Sequence, residues 1–334
     1  MDFLPDDDQL ALVSAAADVL TKELPALRES ASSPLALARN CAALGWFGLG
    51  VPEADGGVGA TLVDEVLLFR EIGRHLAPGP LLSTLLGARV ALAAGETALA
   101  ESIMSGARLV STAERAAAPL IADAGDRWRV FDAPGTDLAL VLAPGVARLV
   151  SLGDVEPLRC IDESTALAAV ELDAADTVAS APVSEPILHL GWVLLAAMLT
   201  GITEATRDMS VAYLKDREQF GKPIGTFQSL KHRAADMAVD AEKSWSVTTY
   251  AALALHEHDH HAPLYCMSAR VVAQRAAMAS ARANVQHHGA MGTTFEHDAH
   301  RFVKRAHVLD HLLGGTDAPL AAILDQPSPL AATR

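Results

Sequence analysis

Arg217 stands where a helical run ends, just ahead of Gly221-Lys222-Pro223-Ile224-Gly225, a turn at which the chain has to reverse. A guanidinium there presents a planar fork of donors, a geometry that suits a diphosphate. Phe220 adds an apolar wall, and Gly221 and Gly225 allow close approach to the backbone. Gln228, in the first turn of the next helix, carries an amide able to fix an adenosine or phosphate group. Farther on, Gln286 with Gly289 closes another helix, where exposed backbone groups can meet a ligand edge. Each residue also has a plain reading: an Arg before a turn is a solvated helix end, and a Gly after a helix is a C-cap.

Other reactive side chains are arranged less pointedly. The run His256-Glu257-His258-Asp259-His260-His261 falls in a turn between helices, without the fixed geometry a metal needs, and reads as a solvated loop. His307 and His311 share a helix face with no His-Glu-x-x-His pattern, and no metal site is expected. Cys41, Cys160 and Cys266 are far apart, which suits a reducing compartment, the cytoplasm, better than a disulfide framework. Lys and Arg number 26 against 41 Asp and Glu, a net charge of −15, which disfavours nucleic acid or anionic membrane as a partner. A phosphorylated ligand then needs a local basic or backbone-amide site. The acidic start, Met1 to Asp8, lacks the basic region of a signal peptide. The apolar run Ile187 to Ile202 is expected to fall short of a membrane span and to form a buried helix.

The elements that position these residues fall into three zones, and the pattern predicts a mainly α protein with a small β-domain. Residues 1–107 read as a helical domain, with Leu10, Val13, Ala17 and Leu20 on one stripe and Val63, Val66, Leu67, Arg70 and Glu71 on another helix. The glycine-rich stretch Gly45 to Gly59 between them is a loop. Residues 108–182 change texture: Trp128–Phe131, Leu138–Leu142, Ala147–Leu152 and Leu167–Leu172 are short apolar runs separated by turn residues. They predict a shortened antiparallel β middle domain of about five strands. Residues 183–334 predict a four-helix bundle: Pro186 to about Asp216; a helix N-capped by Thr226; one from Pro263 to Gly289; and one carrying Phe302, Ala306, Leu309 and Leu313 up to Gly314-Gly315.

Three segments together resemble the acyl-CoA dehydrogenase family. Tyr213 to Gln228, with Arg217, Phe220-Gly221 and Gln228, is similar to its signature. Gln286-His287-His288-Gly289-Ala290 is similar to its Gln-x-x-Gly-Gly stretch, with Ala290 for the second glycine. Gly45 to Gly59 is similar to its N-terminal glycine loop. The resemblance implies FAD as cofactor, shared at a subunit interface. Arg217, Phe220, Gln228, Gln286, Gly289, Ala290 and Thr316 are then the cofactor-binding positions, most of them touching the adenine-nucleotide half of a flavin bound mainly by a neighbour.

The departures are as informative. Members with the catalytic base near the C-terminus read Glu-Gly-Thr where this chain reads Gly314-Gly315-Thr316, and members with the base on the first bundle helix place it where Gly191 stands. Neither glycine can take the acyl α-proton, a step for which a positioned base contributes about 10²–10⁴-fold. Of the Thr-Glu-Pro and Trp-Ile-Thr segments that line the flavin ring in the family, only Ser111-Thr112-Ala113-Glu114-Arg115 has a counterpart. The acids near the empty positions, Glu185, Glu204 and Glu296, are expected on other helical faces or at helix ends. The expectation is a base-less subunit of a heteromeric acyl-CoA dehydrogenase, similar to small actinobacterial steroid-type subunits, paired with a longer homologous chain and acting on an acyl-CoA. A self-sufficient homo-oligomer with an unlocated base and a flavin-free helical scaffold are the other two readings.

Overall fold

The computed structural model describes residues 4–28, 33–115 and 127–325; Met1 to Phe3 of the acidic start lie outside them. Five helices come first: α1 (Asp7–Arg28), α2 (Pro34–Ala43), α3 (Leu62–Arg74), α4 (Leu81–Ala93) and α5 (Thr97–Met104). On α1 the buried residues are Ala16 and Leu20, while Leu10 is exposed, so the buried stripe is rotated from the expected one. Between α2 and α3 the glycine-rich stretch is a loop with two short 3₁₀ turns, Trp46–Gly48 and Glu53–Asp55. Thr61 then starts α3 through a capping box with Asp64, each side chain bonding the other's backbone N–H.

Seven strands follow: β1 (Val110–Arg115), β2 (Trp128–Phe131), β3 (Leu138–Ala143), β4 (Val146–Ser151), β5 (Glu156–Leu158), β6 (Leu167–Val170) and β7 (Thr177–Ser180). They form one sheet in the order β5-β6-β2-β1-β3-β4-β7. The four apolar runs are all strands. Five strands was too few, because β5 and β7 are three- and four-residue edge pieces without an apolar alternation to announce them. Nor is the sheet wholly antiparallel: β1 pairs β3 in parallel, Val110 opposite Leu138. The left-handed residues Asp132 and Gly135 (φ 60° and 81°) turn the chain across so that β3 lies on the other side of β1 from β2.

The remaining elements are α6 (Glu185–Asp216), the hairpin β8 (Glu218–Gln219) and β9 (Lys222–Pro223), α7 (Gln228–His256), α8 (Ala262–His288), α9 (Ala299–Asp310) and α10 (Asp317–Asp325). α6 is long and apolar enough to cross a membrane, contrary to the expectation from the run alone, yet 83% of its apolar window is buried inside the protein. It is the central core helix, with Trp192, Val193, Leu195 and Leu199 buried. Buried hydroxyls tie it to its neighbours: Thr200 to Ser244 at 2.6 Å, Thr206 to Ser280 at 2.8 Å and Ser210 to Asn284 at 2.9 Å. The last two pairs are both 74 residues apart, so α6 and α8 run parallel, with α7 returning between them.

Two boundaries differ from expectation. Thr226 is the end of a 3₁₀ turn, its hydroxyl donating to the Pro223 carbonyl, and Phe227 is the N-cap of α7. The fourth helix stops at Asp310, before Leu313, which takes a left-handed conformation (φ 55°) because its backbone groups are bonded elsewhere.

Candidate functional site

The parallel run of α6 and α8 brings most of the expected cofactor residues to one end of the bundle. Arg217 caps α6 with extended backbone (φ −74°, ψ 122°), and its carbonyl receives the Ile224 N–H at 2.8 Å, closing the hairpin. Phe220 and Gly221 form the tip, both left-handed (φ 54° and 74°); Phe220 is 91% exposed. Lys222 Nζ lies 4.6 Å from the Phe227 ring, which sets the base of the hairpin. Gln228 opens α7 at this end and Gln286 closes α8 there. Gly289 (φ 60°, ψ −138°) ends α8, and Ala290 follows in a 3₁₀ turn, Gly289–Thr293, without positive φ; the alanine therefore replaces a glycine at no backbone strain. Arg217, Gln228 and Gln286 are all exposed, and no described residue bonds to their side chains.

The floor of this end is aromatic. The His288 ring lies 4.3 Å from Tyr213 and 4.2 Å from His297, and its Nδ1 donates to the Asn284 carbonyl at 2.8 Å. His287 is buried with neither ring nitrogen bonded; burial, then His288 and Arg233, hold its pKa below the usual value, so it is neutral.

Thr316 is not part of this cluster. Its hydroxyl donates to the Asp310 carboxylate, beside Arg270 Nη2 at 3.6 Å. From Arg270 to Gln286 is sixteen residues of α8, about 24 Å at 1.5 Å per residue.

At that second location Gly191 and Gly314, the two positions where the resemblance placed a base, come together, and the space is filled. A Cβ on Gly191 would lie 2.5 Å from Leu313 Cδ1 and 3.1 Å from Leu86 Cδ1. Trp192 Nε1 donates to the Leu313 carbonyl at 3.0 Å, and the Leu313 N–H donates to the Glu114 carboxylate. Gly314 is left-handed (φ 80°) and carries no proton acceptor on a side chain. The adjoining cleft, between β1, β2, α6 and α9 and lined by Thr112, Phe131, Asp132, Met198 and Arg305, encloses only about 40 Å³. That is room for roughly three waters at 10–15 Å³ each, against the several hundred Å³ of a cofactor pocket. A flavin ring does not fit in that cleft; Arg217, Gln228 and Gln286, at the other end, are exposed.

The acids weighed from sequence are elsewhere. Glu204 is buried and bound to Arg70 Nε at 2.7 Å; Glu185 and Glu296 are exposed. Sequence reasoning missed Glu114 as an acid of this site, although it stands in Ser111 to Arg115, the stretch the resemblance had picked out of the β-domain. It also missed Arg305, whose Nε bonds Asp162 at 2.5 Å. The His256–His261 run is exposed, between α7 and α8.

Models of the acyl-CoA dehydrogenase N-terminal domain and C-terminal domain match residues 6–108 and 182–326. The acyl-CoA dehydrogenase IpdE2 of Mycobacterium tuberculosis is 32% identical over 281 residues, 82% of this chain and 80% of that protein. FadE34 of the same organism is 35% identical over 288 residues, 82% of this chain but only 40% of that longer protein. A variant of the Tcur3481-Tcur3483 steroid ACAD superimposes with a TM-score of 0.83 at 26% identity, over 98% of this chain and 99% of that one. With both terminal regions matched, and a relative of similar length sharing a third of its residues, the chain belongs to the acyl-CoA dehydrogenase family.

Proposed function

We propose that this chain is the non-catalytic subunit of a hetero-oligomeric, FAD-dependent acyl-CoA dehydrogenase. A longer homologous chain supplies the carboxylate base and holds the flavin ring, and this chain meets the adenine-nucleotide half of the same FAD through Arg217, Gln228, Gln286 and the Gly289-Ala290 turn. FAD, when bound, accepts the hydride that leaves the acyl β-carbon; the contribution of this chain is to bind and orient. The observation that carries the reading is the contrast between its two ends: both base positions are glycines under a filled cleft, while the diphosphate-type residues stand exposed and unpaired. The solved neighbour named as a two-component steroid ACAD supports a steroid-type acyl-CoA as the substrate class.

Arg217→Ala tests the trans contact. A charge-assisted bond to a diphosphate contributes about 1.5–3 kcal/mol, so flavin affinity in the assembled complex should fall roughly 10- to 150-fold. Assembly, followed by size-exclusion chromatography, should not change, because no described residue leans on that side chain. Unaltered flavin retention on dilution would reduce Arg217 to a solvated helix end.

A further inference from the structure

We propose that Leu313 is a plug and Glu114 the latch that holds it, so that this chain keeps the slot beside Gly191 shut by a dedicated set of contacts. Leu313 is in the left-handed region, disfavoured for a non-glycine residue, and such a residue persists only where its surroundings over-determine it. Three contacts do so. β1 sends Glu114 to the Leu313 N–H, α6 sends Trp192 Nε1–H to the Leu313 carbonyl, and the glycine at 191 leaves a slot that the Leu313 side chain occupies. An empty base position alone needs none of this. A glycine loop that left that slot open would be equally inert, so the contacts serve closure.

The latch is titratable. Burial pushes the Glu114 carboxyl up to about 7, with the Leu313 and Gly314 N–H groups and Arg270 acting against the rise. The charged groups facing it are Arg270 from α8, with Asp310 behind it at the end of α9, and Arg129, its register partner on β2. When the loop opens, the carboxyl returns to the ordinary range near 4.5. The shut state therefore binds the proton more strongly: closure is tightest at low pH, loosens as the pH climbs to about 7, and changes no further above it.

Hydrogen exchange on the full chain tests the latch. In Glu114→Ala the protection of the Leu313 and Gly314 amides should fall by about 100-fold or more, with the β3 and α8 amides unchanged. Glu114→Gln keeps a neutral acceptor, as the protonated acid does, so it should hold protection within about tenfold and abolish its pH dependence. Unchanged protection in Glu114→Ala, equal loosening in both variants, or loosening spread evenly through β3 and α8 would each overturn the proposal. The plug has its own test. Leu313→Ala should open a cavity that takes benzene, seen as a raised melting temperature, as leucine-sized apolar cavities do. Benzene stabilising the wild type equally, or failing to stabilise a folded Leu313→Ala, would show that the side chain closes nothing. These measurements need no partner, whereas the subunit reading rests on the flavin content of the complex, so the two fail separately.

Discussion

Replacing Arg305 by Ala is expected to lower stability by about 3–5 kcal/mol. Arg305 sits on α9, 7% exposed at its side chain, and its three nitrogens go to three different places: Asp162 at 2.5 Å, the Ala77 carbonyl at 2.9 Å and the Ser164 hydroxyl at 2.6 Å. It thus binds the bundle to the loop before β6 and to the connection between α3 and α4. Burial alone would raise the Asp162 carboxyl, but Arg305 and the Ser164 bonds hold it below its usual range. Removing the guanidinium leaves that carboxylate buried without its cation, the costly half of a broken pair. Urea unfolding of the two proteins checks the value. A loss under about 1 kcal/mol would class the pair with solvated surface bridges. The sign with pH also follows: a depressed carboxyl stabilises above its ordinary pKa, and Asp162's share is lost as the pH falls through its folded value.

Gly201→Ala is expected to destabilise by about 3 kcal/mol or more, beyond the usual range for overpacking. Intrinsic helix propensity argues the other way, favouring Ala over Gly by about 1 kcal/mol in a helix interior. Packing decides it. A Cβ at Gly201 would stand 2.0 Å from the Arg70 carbonyl oxygen and 2.6 Å from the Arg74 nitrogen. One turn away on the same contact, a Cβ at Gly73 would meet the Met198 carbonyl oxygen at 1.9 Å. Both obstacles are backbone, so α3 and α6 must separate, and the Arg70–Glu204 bond between them is strained as well. Gly153, with nothing within 4 Å of its Cβ direction, is the control: Ala there should be neutral. A Gly201→Ala protein as stable as wild type would mean that the two helices do not pack this closely.

What could be read from sequence, and what could not, divides along the same physical line. The ends of α6 and α8 were legible because proline and glycine terminate helices by local stereochemistry, and Pro263 and Gly289 stand where they were expected. The buried runs of the sheet were legible for the same reason of local pattern. Thr226 misled because its hydroxyl, expected to accept an N–H of the next helix as a cap, donates to the Pro223 carbonyl instead, and Phe227 takes the N-cap position. The end of α9 misled because Leu313 continues the helical spacing, yet its N–H and C=O are claimed by Glu114 and Trp192, residues 199 and 121 positions away. No window along the chain contains those partners. The spacing of Arg217, Gln228 and Gln286 identified the exposed end, but the filled cleft at the other end is a property of side chains meeting in space. Thr316, named with them from the family motif, lies apart from them in the fold, its hydroxyl bonded to Asp310.

The visible absorbance of the purified chain, alone and then co-purified with the longer homologous chain proposed as its partner, tests the central claim most directly. If this chain is the subunit proposed above, the isolated chain should show essentially no flavin bands, and the complex should show flavin that is lost when the partner is removed. A stoichiometric flavin spectrum from the isolated chain would contradict the account and make this protein a self-sufficient dehydrogenase.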